Sequence, residues 1–268
     1  MRATIWGCRG SLATPGKRTV RYGGNTSSVE VRTASGRIVV LDAGTGIRPL
    51  GLALAAEGVR RIDLILTHLH LDHVEGLGFF TPLFDPDCEI TIWGPHQEGS
   101  SLRERVAAYL SPPLFPLPFA QFGSRIEFVE VAEEPWQLDG LAITPARVKH
   151  PGTTLAYRLE EGGNVFTFIP DNELGLDPDA GLELAEGADL LFHDAQYTPD
   201  EYASRNGWGH TSIDDLPPFL EAAQPKRVVM FHHDPTHEDA ALEEMRDTVQ
   251  ELAGREVELA AEQSSYEL

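Results

Sequence analysis

The stretch LILTHLHLDHVEG, residues 64–76, places three histidines and one aspartate within six positions, directly after an apolar run. The run predicts a strand that ends just before the first histidine, and alternate strand residues share a face, so His68 and His70 are expected to point the same way. Asp72 and His73 must then curl back in a turn or at the start of a helix. Imidazole and carboxylate groups at this spacing suit zinc or a similar divalent cation. Four such ligands exceed what one tetrahedral catalytic ion uses while keeping a water, so the stretch predicts two metal ions.

Further ligands are predicted where three later strands end. His150 follows the run LAITPARVK, Asp171 ends NVFTFIPD, and His232 ends RVVMFH. Each of these residues alone could be an ordinary loop residue. Residues at the C-terminal ends of strands lie at the rim of a sheet, where α/β proteins build their sites. Together with the four-residue cluster, the three positions favour one shared metal centre.

Short β-type runs alternate with longer amphipathic or loop segments, which predicts an α/β protein. The predicted strands are RATIWG, SSVEVRT, RIVVLDAG, IDLILTH, EITIWG, RIEFVEV, LAITPARV, TLAYRLE, NVFTFIPD, ADLLFHDA and RVVMFHH, and the predicted helices span 47–58, 96–110, 213–223 and 238–253. The proline-rich segment 111–123 cannot be a regular helix or a central strand. It is either a linker or a loop packed over the body beside a pocket, and its apolar residues favour the packed loop.

Composition describes an ordinary globular chain with an acidic surface. Its 268 residues are 41% hydrophobic and 24% charged, with a formal net charge of −21. Such a surface repels polyanions, so no stable nucleic-acid binding is expected. No apolar run is long enough for a membrane span and no secretory signal is recognisable, which makes the cytoplasm the expected location. The two cysteines, Cys8 and Cys88, are expected to be packing residues in a reduced compartment.

The order His-x-His-x-Asp-His, then a lone His, an Asp and a final His, resembles the metallo-β-lactamase fold hydrolases over nearly the whole chain. The resemblance implies a single domain, residues 1–268, built as a four-layer αββα sandwich of the α/β (α+β) class. It also implies a ligand set: His68, His70 and His150 for one metal ion, Asp72, His73 and His232 for the other, and Asp171 bridging the two. Zn²⁺ is the first expectation, with Mn²⁺ and Fe²⁺ as alternatives. Asp42, in VVLDAGTG, matches the family aspartate that steadies the histidine loop, and His193 is expected behind the ligands with it.

Three further segments resemble the ribonuclease Z and phosphodiesterase branch: Asn25-Thr26-Ser27-Ser28, HDAQYT at 193–198 and GHTS at 209–212. The resemblance implies that His210 contacts the phosphate and protonates the leaving oxygen, and that Asp194 orients His210, although the family has Glu in that position. Asp72 would take part in catalysis as well as in metal binding. A buried structural His210 is the alternative.

These residues predict a metal-dependent hydrolase that cleaves a small phosphodiester, a cyclic nucleotide or another cyclic phosphate, by a hydroxide bridging the two ions. Cleavage of tRNA is disfavoured, because only twenty residues separate His150 from Asp171, where ribonuclease Z carries its tRNA-gripping arm. The rivals are an acyl hydrolase acting on a lactam, lactone or thiolester, and a metal-bound nucleotide sensor that does not cleave. The expected partner is a small molecule, and a homo-oligomer is compatible with the sequence.

Six other residues are weighed and set aside. Arg9, Arg18 and Arg21 could contact phosphate, but exposed salt bridges are the better interpretation for each. His96 is expected at a helix start with a capping or surface role. His233 could replace His232 as a ligand but is the weaker candidate, and His237 is expected near the start of a helix.

Overall fold

The computed structural model describes residues 1–268 and contains two seven-stranded sheets with helices outside them. The strands are β1 Arg2–Gly7, β2 Ser28–Arg32, β3 Ile38–Leu41, β4 Arg61–Ile65, β5 Glu89–Pro95, β6 Arg125–Val131, β7 Trp136–Leu138, β8 Leu141–Arg147, β9 Leu155–Glu161, β10 Asn164–Ile169, β11 Leu190–Asp194, β12 Arg227–Phe231, β13 Glu258–Leu259 and β14 Ser265–Glu267. The α-helices are α1 Ile47–Glu57, α2 Leu71–Val74, α3 Leu102–Tyr109, α4 Leu182–Ala185, α5 Pro199–Arg205, α6 Leu216–Ala223 and α7 Asp239–Ala253.

Each sheet combines an antiparallel part with a parallel part. The first has the order β14-β1-β2-β3-β4-β5-β6, and the second has the order β13-β12-β11-β10-β9-β8-β7. Strands β3 to β6 run parallel to one another, as do β10 to β13. The carboxyl ends of parallel neighbours meet at one edge, where this class of sheet builds its sites.

The central strands are apolar on both faces because each lies between two layers of the protein. In β12, Val229 and Phe231 belong to a core between the two sheets, whereas Val228 and Met230 belong to a core beneath α6 and α7. A third core joins the outer face of the first sheet to α1 and α3. Continuous apolar runs are typical of strands buried on both faces. The predicted four-layer αββα sandwich is confirmed, while the single-domain organisation stays a prediction.

The predicted elements are present, and the largest error is at the start of α3. The helix begins at Leu102 rather than at 96, because the Ser101 side chain accepts a hydrogen bond from the backbone of Glu104 and Glu104 bonds back to Ser101. This capping box sets the first turn, and Gly99 just before it has a left-handed φ of 81°. The short strands β7, β13 and β14 and the helices α2, α4 and α5 carry too few residues for a periodic pattern, and none of them was predicted as a separate element.

The segment 111–123 packs onto the first sheet and its helices, as predicted. Phe115, Phe119 and Phe122 contact the outer core, whereas Leu114 and Leu117 are exposed. The cavity that α3 helps to line includes no residue of this segment. None of the helices has the length and apolar character that a membrane span requires.

Candidate metal centre

All seven side chains predicted as metal ligands lie at one edge of the sandwich. Strand β10 ends two residues before Asp171, and β12 ends immediately before His232. Strand β4 ends at Ile65, two residues earlier than predicted, so His68 and His70 lie on the loop that leads into α2 and not on the strand. Their rings still converge, with centroids 4.5 Å apart.

The donor atoms of these residues face one another at short distances. His70 Nδ1 lies 3.0 Å from His150 Nε2, although 80 positions separate the two residues in the sequence. His73 Nε2 lies 3.1 Å from His232 Nε2 and 3.1 Å from a carboxylate oxygen of Asp171. Imidazole nitrogens that point at each other this closely need either a proton or a cation between them.

The side chains form three groups whose donor atoms all lie within 4.8 Å of one another: His68 with His70 and His150, Asp72 with His73 and His232, and Asp171 with His68 and His73. The first two groups match the two predicted ligand sets. Asp171 lies near both, since its other carboxylate oxygen is 3.4 Å from His232 Nε2. The arrangement therefore offers donors for two ions with a carboxylate between them, and the ligand role of each residue stays a prediction.

His68 Nε2 is buried at the centre without a hydrogen-bond partner, and Asp171 Oδ2 also makes no hydrogen bond, although His73 Nε2 lies 3.1 Å from it. Buried polar groups are nearly always paired, so an unpaired imidazole nitrogen and an unpaired carboxylate oxygen at one place call for a ligand. Nitrogen and oxygen donors of this kind suit Zn²⁺ and neighbouring divalent ions. The residues present therefore fit a metal centre.

Four of the histidines are held by their Nδ1 atoms, which leaves Nε2 facing the centre. His232 Nδ1 donates to Gln196 Oε1 at 2.7 Å, and His150 Nδ1 donates to the carbonyl of Gly209 at 2.8 Å. His73 Nδ1 lies 2.7 Å from Asp42, and His68 Nδ1 lies 3.0 Å from the Thr67 hydroxyl. An oxygen acceptor at Nδ1 fixes the tautomer in which Nε2 carries the free lone pair.

Asp42 has the supporting position that the resemblance implies. Its carboxylate accepts hydrogen bonds from His73, from the backbone and hydroxyl of Thr67, and from Ser27. Asp42 and His232 both have left-handed backbone with φ of 60°, immediately after β3 and β12. Non-glycine residues rarely adopt this conformation and do so mostly where surrounding contacts enforce it, commonly at functional sites.

The charge balance of the centre favours a cation. Burial lowers the pKa of His68 well below 6.5 and that of His150 to about 4, so both are neutral at pH 7, as metal ligands must be. Burial also disfavours charge on His73, but the carboxylates of Asp171 and Asp72 outweigh it and raise the pKa of His73 well above its ordinary value. The site therefore stabilises positive charge next to these carboxylates, and a divalent ion would supply it.

His210 and Asp194 form a buried pair beside the ligands. His210 Nδ1 lies 2.8 Å from Asp194 Oδ2, so the aspartate reaches His210 although it is shorter than the family's glutamate. Burial alone would lower the pKa of His210, but the Asp194 carboxylate outweighs it and raises that pKa. His210 also lines an open cleft with Tyr197, Arg205 and Trp208. Its distances to His150 and Asp171, and to Asp194 and His232, are also compatible with metal ligation.

Two predicted positions differ from the structure. His193 belongs to none of the groups of donor atoms and instead lies against Phe219, with its Nδ1 bonded to the carbonyl of Asp194. Successive strand residues point to opposite faces, so His193 shares the outer face of β11 with Leu191 while Asp194 points inward. Arg9 is fully buried rather than exposed, and its guanidinium donates to the carbonyls of three residues, Gly23, Asp234 and His237.

The other residues that were set aside lie apart from the centre. Arg18 pairs with Glu238 and Arg21 pairs with Glu243, both on the surface. His96 is exposed and bonds to Glu130, and it precedes α3 instead of starting it. His233 is buried with Nε2 bonded to the carbonyl of Ala260, and His237 is bonded to Glu201.

Two groups that hold imidazoles from behind were not predicted, the carbonyl of Gly209 and the side chain of Gln196. Gly209 supplies a carbonyl to His150, and its N–H donates to the buried carboxylate of Glu173. A Cβ at Gly209 would lie 2.1 Å from His150 Nδ1, so only glycine fits. Gln196 lay within a quoted motif but was assigned no role. A backbone carbonyl has no signal in a sequence, and Gly209 within GHTS was the one available hint.

Comparison with known proteins agrees with this arrangement. The Beta-lactamase superfamily domain matches residues 37–233, which include all seven predicted ligands. Ribonuclease Z of Staphylococcus carnosus is 21% identical over 87% of this chain and 88% of its own length. The solved structure of the metallo-beta-lactamase fold protein YhfI from Bacillus subtilis covers 99% of this chain and 98% of its own, with a TM-score of 0.75 and 17% identity. A diphosphatase from the PhnP family covers 100% and 97%, with a TM-score of 0.67 and 20% identity.

Proposed function

This chain belongs to the beta-lactamase superfamily as a metal-dependent hydrolase, and we propose from that premise that it hydrolyses a small phosphodiester, such as a cyclic nucleotide, at a centre of two divalent ions. The observation that carries the proposal is the His210–Asp194 pair, joined at 2.8 Å and adjacent to both ligand groups. A positioned proton donor for the departing alkoxide accelerates phosphodiester cleavage beyond what the metal ions supply.

Seven residues would hold the ions: His68, His70 and His150 for the first, Asp72, His73 and His232 for the second, and Asp171 between them. Zinc is the preferred ion for this mixed imidazole and carboxylate set, with manganese or iron as alternatives. Bound divalent ions offset phosphate charge and make water acidic enough to provide hydroxide at neutral pH.

Asp194 and His210 would handle the proton. The Asp194 carboxylate accepts from His210 Nδ1 and is itself held by the backbone N–H groups of Asn172 and Gln196. The hydrogen bond from Nδ1–H to Asp194 fixes the orientation of the His210 ring. His210 and Trp208 both line the open cleft, which has room for a leaving group. In its protonated form, the Nε2 atom of His210 donates to the departing alkoxide.

Charge and shape favour a small substrate over RNA. The net charge of −21 opposes binding of a polyanion. Between His150 and Asp171 the chain forms only the tight β9–β10 hairpin, which turns at Gly162 and Gly163. The similarity to a ribonuclease and to a diphosphatase supports phosphoester chemistry, while the hairpin provides no extended arm with which to hold a tRNA.

The test is turnover by metal-loaded protein. Purified protein loaded with zinc or manganese should hydrolyse bis-p-nitrophenyl phosphate and at least one cyclic mononucleotide. The His210→Ala variant should lose about 10²- to 10⁴-fold in kcat while keeping the wild-type metal content. His96→Ala is the matched control, because His96 is an exposed histidine bonded to Glu130. It should leave the rate unchanged.

Three results would contradict the proposal. The first is a metal-replete protein that cleaves no diester while a control enzyme does. The second is turnover of a lactam, lactone or thiolester that survives His210→Ala, which would assign an acyl hydrolase. The third is tight calorimetric binding of a cyclic nucleotide that stays uncleaved, which would assign a sensor.

A further inference from the structure

A cavity of about 310 Å³ opens directly beside the first predicted ligand group. His68 and His70 line it, and its polar lining also includes Gln97, Arg105 and Thr153. Cavities that hold small molecules range from about 300 to 1,000 Å³, so this one is at the lower limit. It has room for a single ring system.

The walls of the cavity are mainly apolar, although the cavity is next to a charged centre. Val74 and Leu77, which follow the histidine motif, line the cavity together with Val106 and Tyr109 of α3. Leu71 also lines it while remaining 64% exposed to water. Contact with phosphate or with sugar hydroxyls does not bury apolar surface favourably. A flat organic ring that displaces water from an apolar wall does, and this burial favours binding of the ring.

Two polar groups at the cavity are held in place. The Tyr109 hydroxyl donates to the carbonyl of Glu75 at 2.9 Å, which fixes the ring in the wall. Arg105, which also lines the cavity, donates through Nη2 to the carbonyl of Glu98 at 2.8 Å, and this bond holds the guanidinium in place. A guanidinium carries five N–H donors, so others remain for ring oxygens or nitrogens. An apolar slot with a few fixed polar groups is the usual composition of a small-molecule site.

We propose that this cavity binds the base of a nucleoside phosphodiester whose phosphate lies at the metal centre. The inference rests on the proposed function and narrows it, because it selects nucleoside diesters over base-free cyclic phosphates. Val106, Tyr109 and Arg105 would then determine specificity, although none of them belongs to the ligand groups.

The experiment compares two five-membered cyclic phosphodiesters on the zinc-loaded protein, 2′,3′-cyclic AMP and glycerol 1,2-cyclic phosphate. The wild type should prefer the nucleoside substrate by about tenfold or more in kcat/KM, since burial of an aromatic base contributes more than 1.4 kcal/mol. Val106→Phe, which places a ring inside the cavity, should bring the ratio close to one. Thr153→Phe is a second blocking variant, because Thr153 also lines the cavity and its partly exposed loop tolerates bulk better than the buried face of α3 does.

Arg103→Ala is the matched control on the same helix. The Arg103 guanidinium lies over the Phe128 ring, 5.9 Å from its centroid, and does not line the cavity. This variant should keep the wild-type ratio. Equal wild-type turnover of both substrates, or a ratio that both blocking variants leave unchanged, would overturn the inference while the proposed function stands.

If the protein cleaves neither cyclic phosphate, a binding measurement still tests the base site separately from the proposed function. Calorimetry with adenosine 5′-monophosphate should show binding to the wild type that both blocking variants weaken by about tenfold or more. If neither cyclic phosphate is cleaved but this binding difference is found, the proposed function fails and the base site remains. If adenosine 5′-monophosphate binds all variants equally, the base site fails.

Discussion

His210 Nδ1 lies 2.8 Å from Asp194 Oδ2, and both side chains are buried at the edge where β11 and β12 end. The Asp194→Asn variant should lower kcat on a diester by about 10²-fold or more, because His210 loses the carboxylate that orients and charges it. His210 must be protonated to donate, and Asp194 raises the pKa of His210. As the pH rises, activity should therefore be lost at a lower pH in the variant than in the wild type. An unchanged pH profile would show that Asp194 is only structural.

Asp42 supports the centre through His73 and Thr67. Asp42→Asn keeps a residue that tolerates the left-handed backbone but weakens the acceptor, so metal affinity should fall by about 10- to 100-fold in competition with a chromogenic chelator. Asp139→Asn is the matched control, since Asp139 is also a left-handed non-glycine residue, with φ of 49°, and is exposed. A loss of affinity in both variants, or in neither, would contradict the role of Asp42.

Gly209 is predicted to be irreplaceable for a reason specific to His150. Gly209→Ala would put a methyl group 2.1 Å from His150 Nδ1, so metal content and activity should both fall sharply. Gly207→Ala is the control in the same loop, with φ of 85° and no atom within 4 Å of the added carbon. It should cost only about 1 to 2 kcal/mol of stability through backbone strain. Equal metal content in the two variants would argue against the steric explanation.

His193 should make the fold sensitive to acid. Burial lowers its pKa to about 4 from 6.5, so between these pH values the unfolded chain binds more protons than the folded chain. Stability should therefore decrease as the pH falls from 6.5, by up to about 1.4 kcal/mol per pH unit for this residue. His193→Phe places a ring beside Phe219 and removes this contribution. Urea unfolding at pH 7, 6 and 5 measures it, and parallel pH curves for the two proteins would refute it.

Removal of metal should destabilise the protein, because buried carboxylates such as Asp72 and Asp171 then lose their neutralising cations. A ligand that binds only the folded chain stabilises it by about 2.7 kcal/mol at a concentration of 100 Kd. The Tm should therefore fall on chelation and recover when zinc is restored. A Tm that is insensitive to both would mean that no ion is bound at these residues.

The strands, helices and donor residues that could be predicted share one property: neighbouring residues in the sequence are enough to recognise them. In β12 the run RVVMF is apolar on both faces and is followed directly by His232, so the same short stretch predicts both the strand and a ligand after it. The start of α3 was misplaced because its boundary depends on one capping side chain, Ser101, and not on periodicity. Arg9 was misassigned because an arginine satisfied by backbone carbonyls looks, in sequence, like any surface cation.

The sequence by itself determined the kinds of donor atoms and the strands that carry them, because ligand chemistry and apolar runs are properties of individual residues and their neighbours. Only the tertiary structure decided which atoms meet: the pairing of His70 with His150, the carbonyl of Gly209 behind His150, the outward direction of His193, and the apolar cavity between the histidine motif and α3. These relationships join residues distant in the chain or depend on which face a side chain occupies. They are set by how the two sheets and their helices pack.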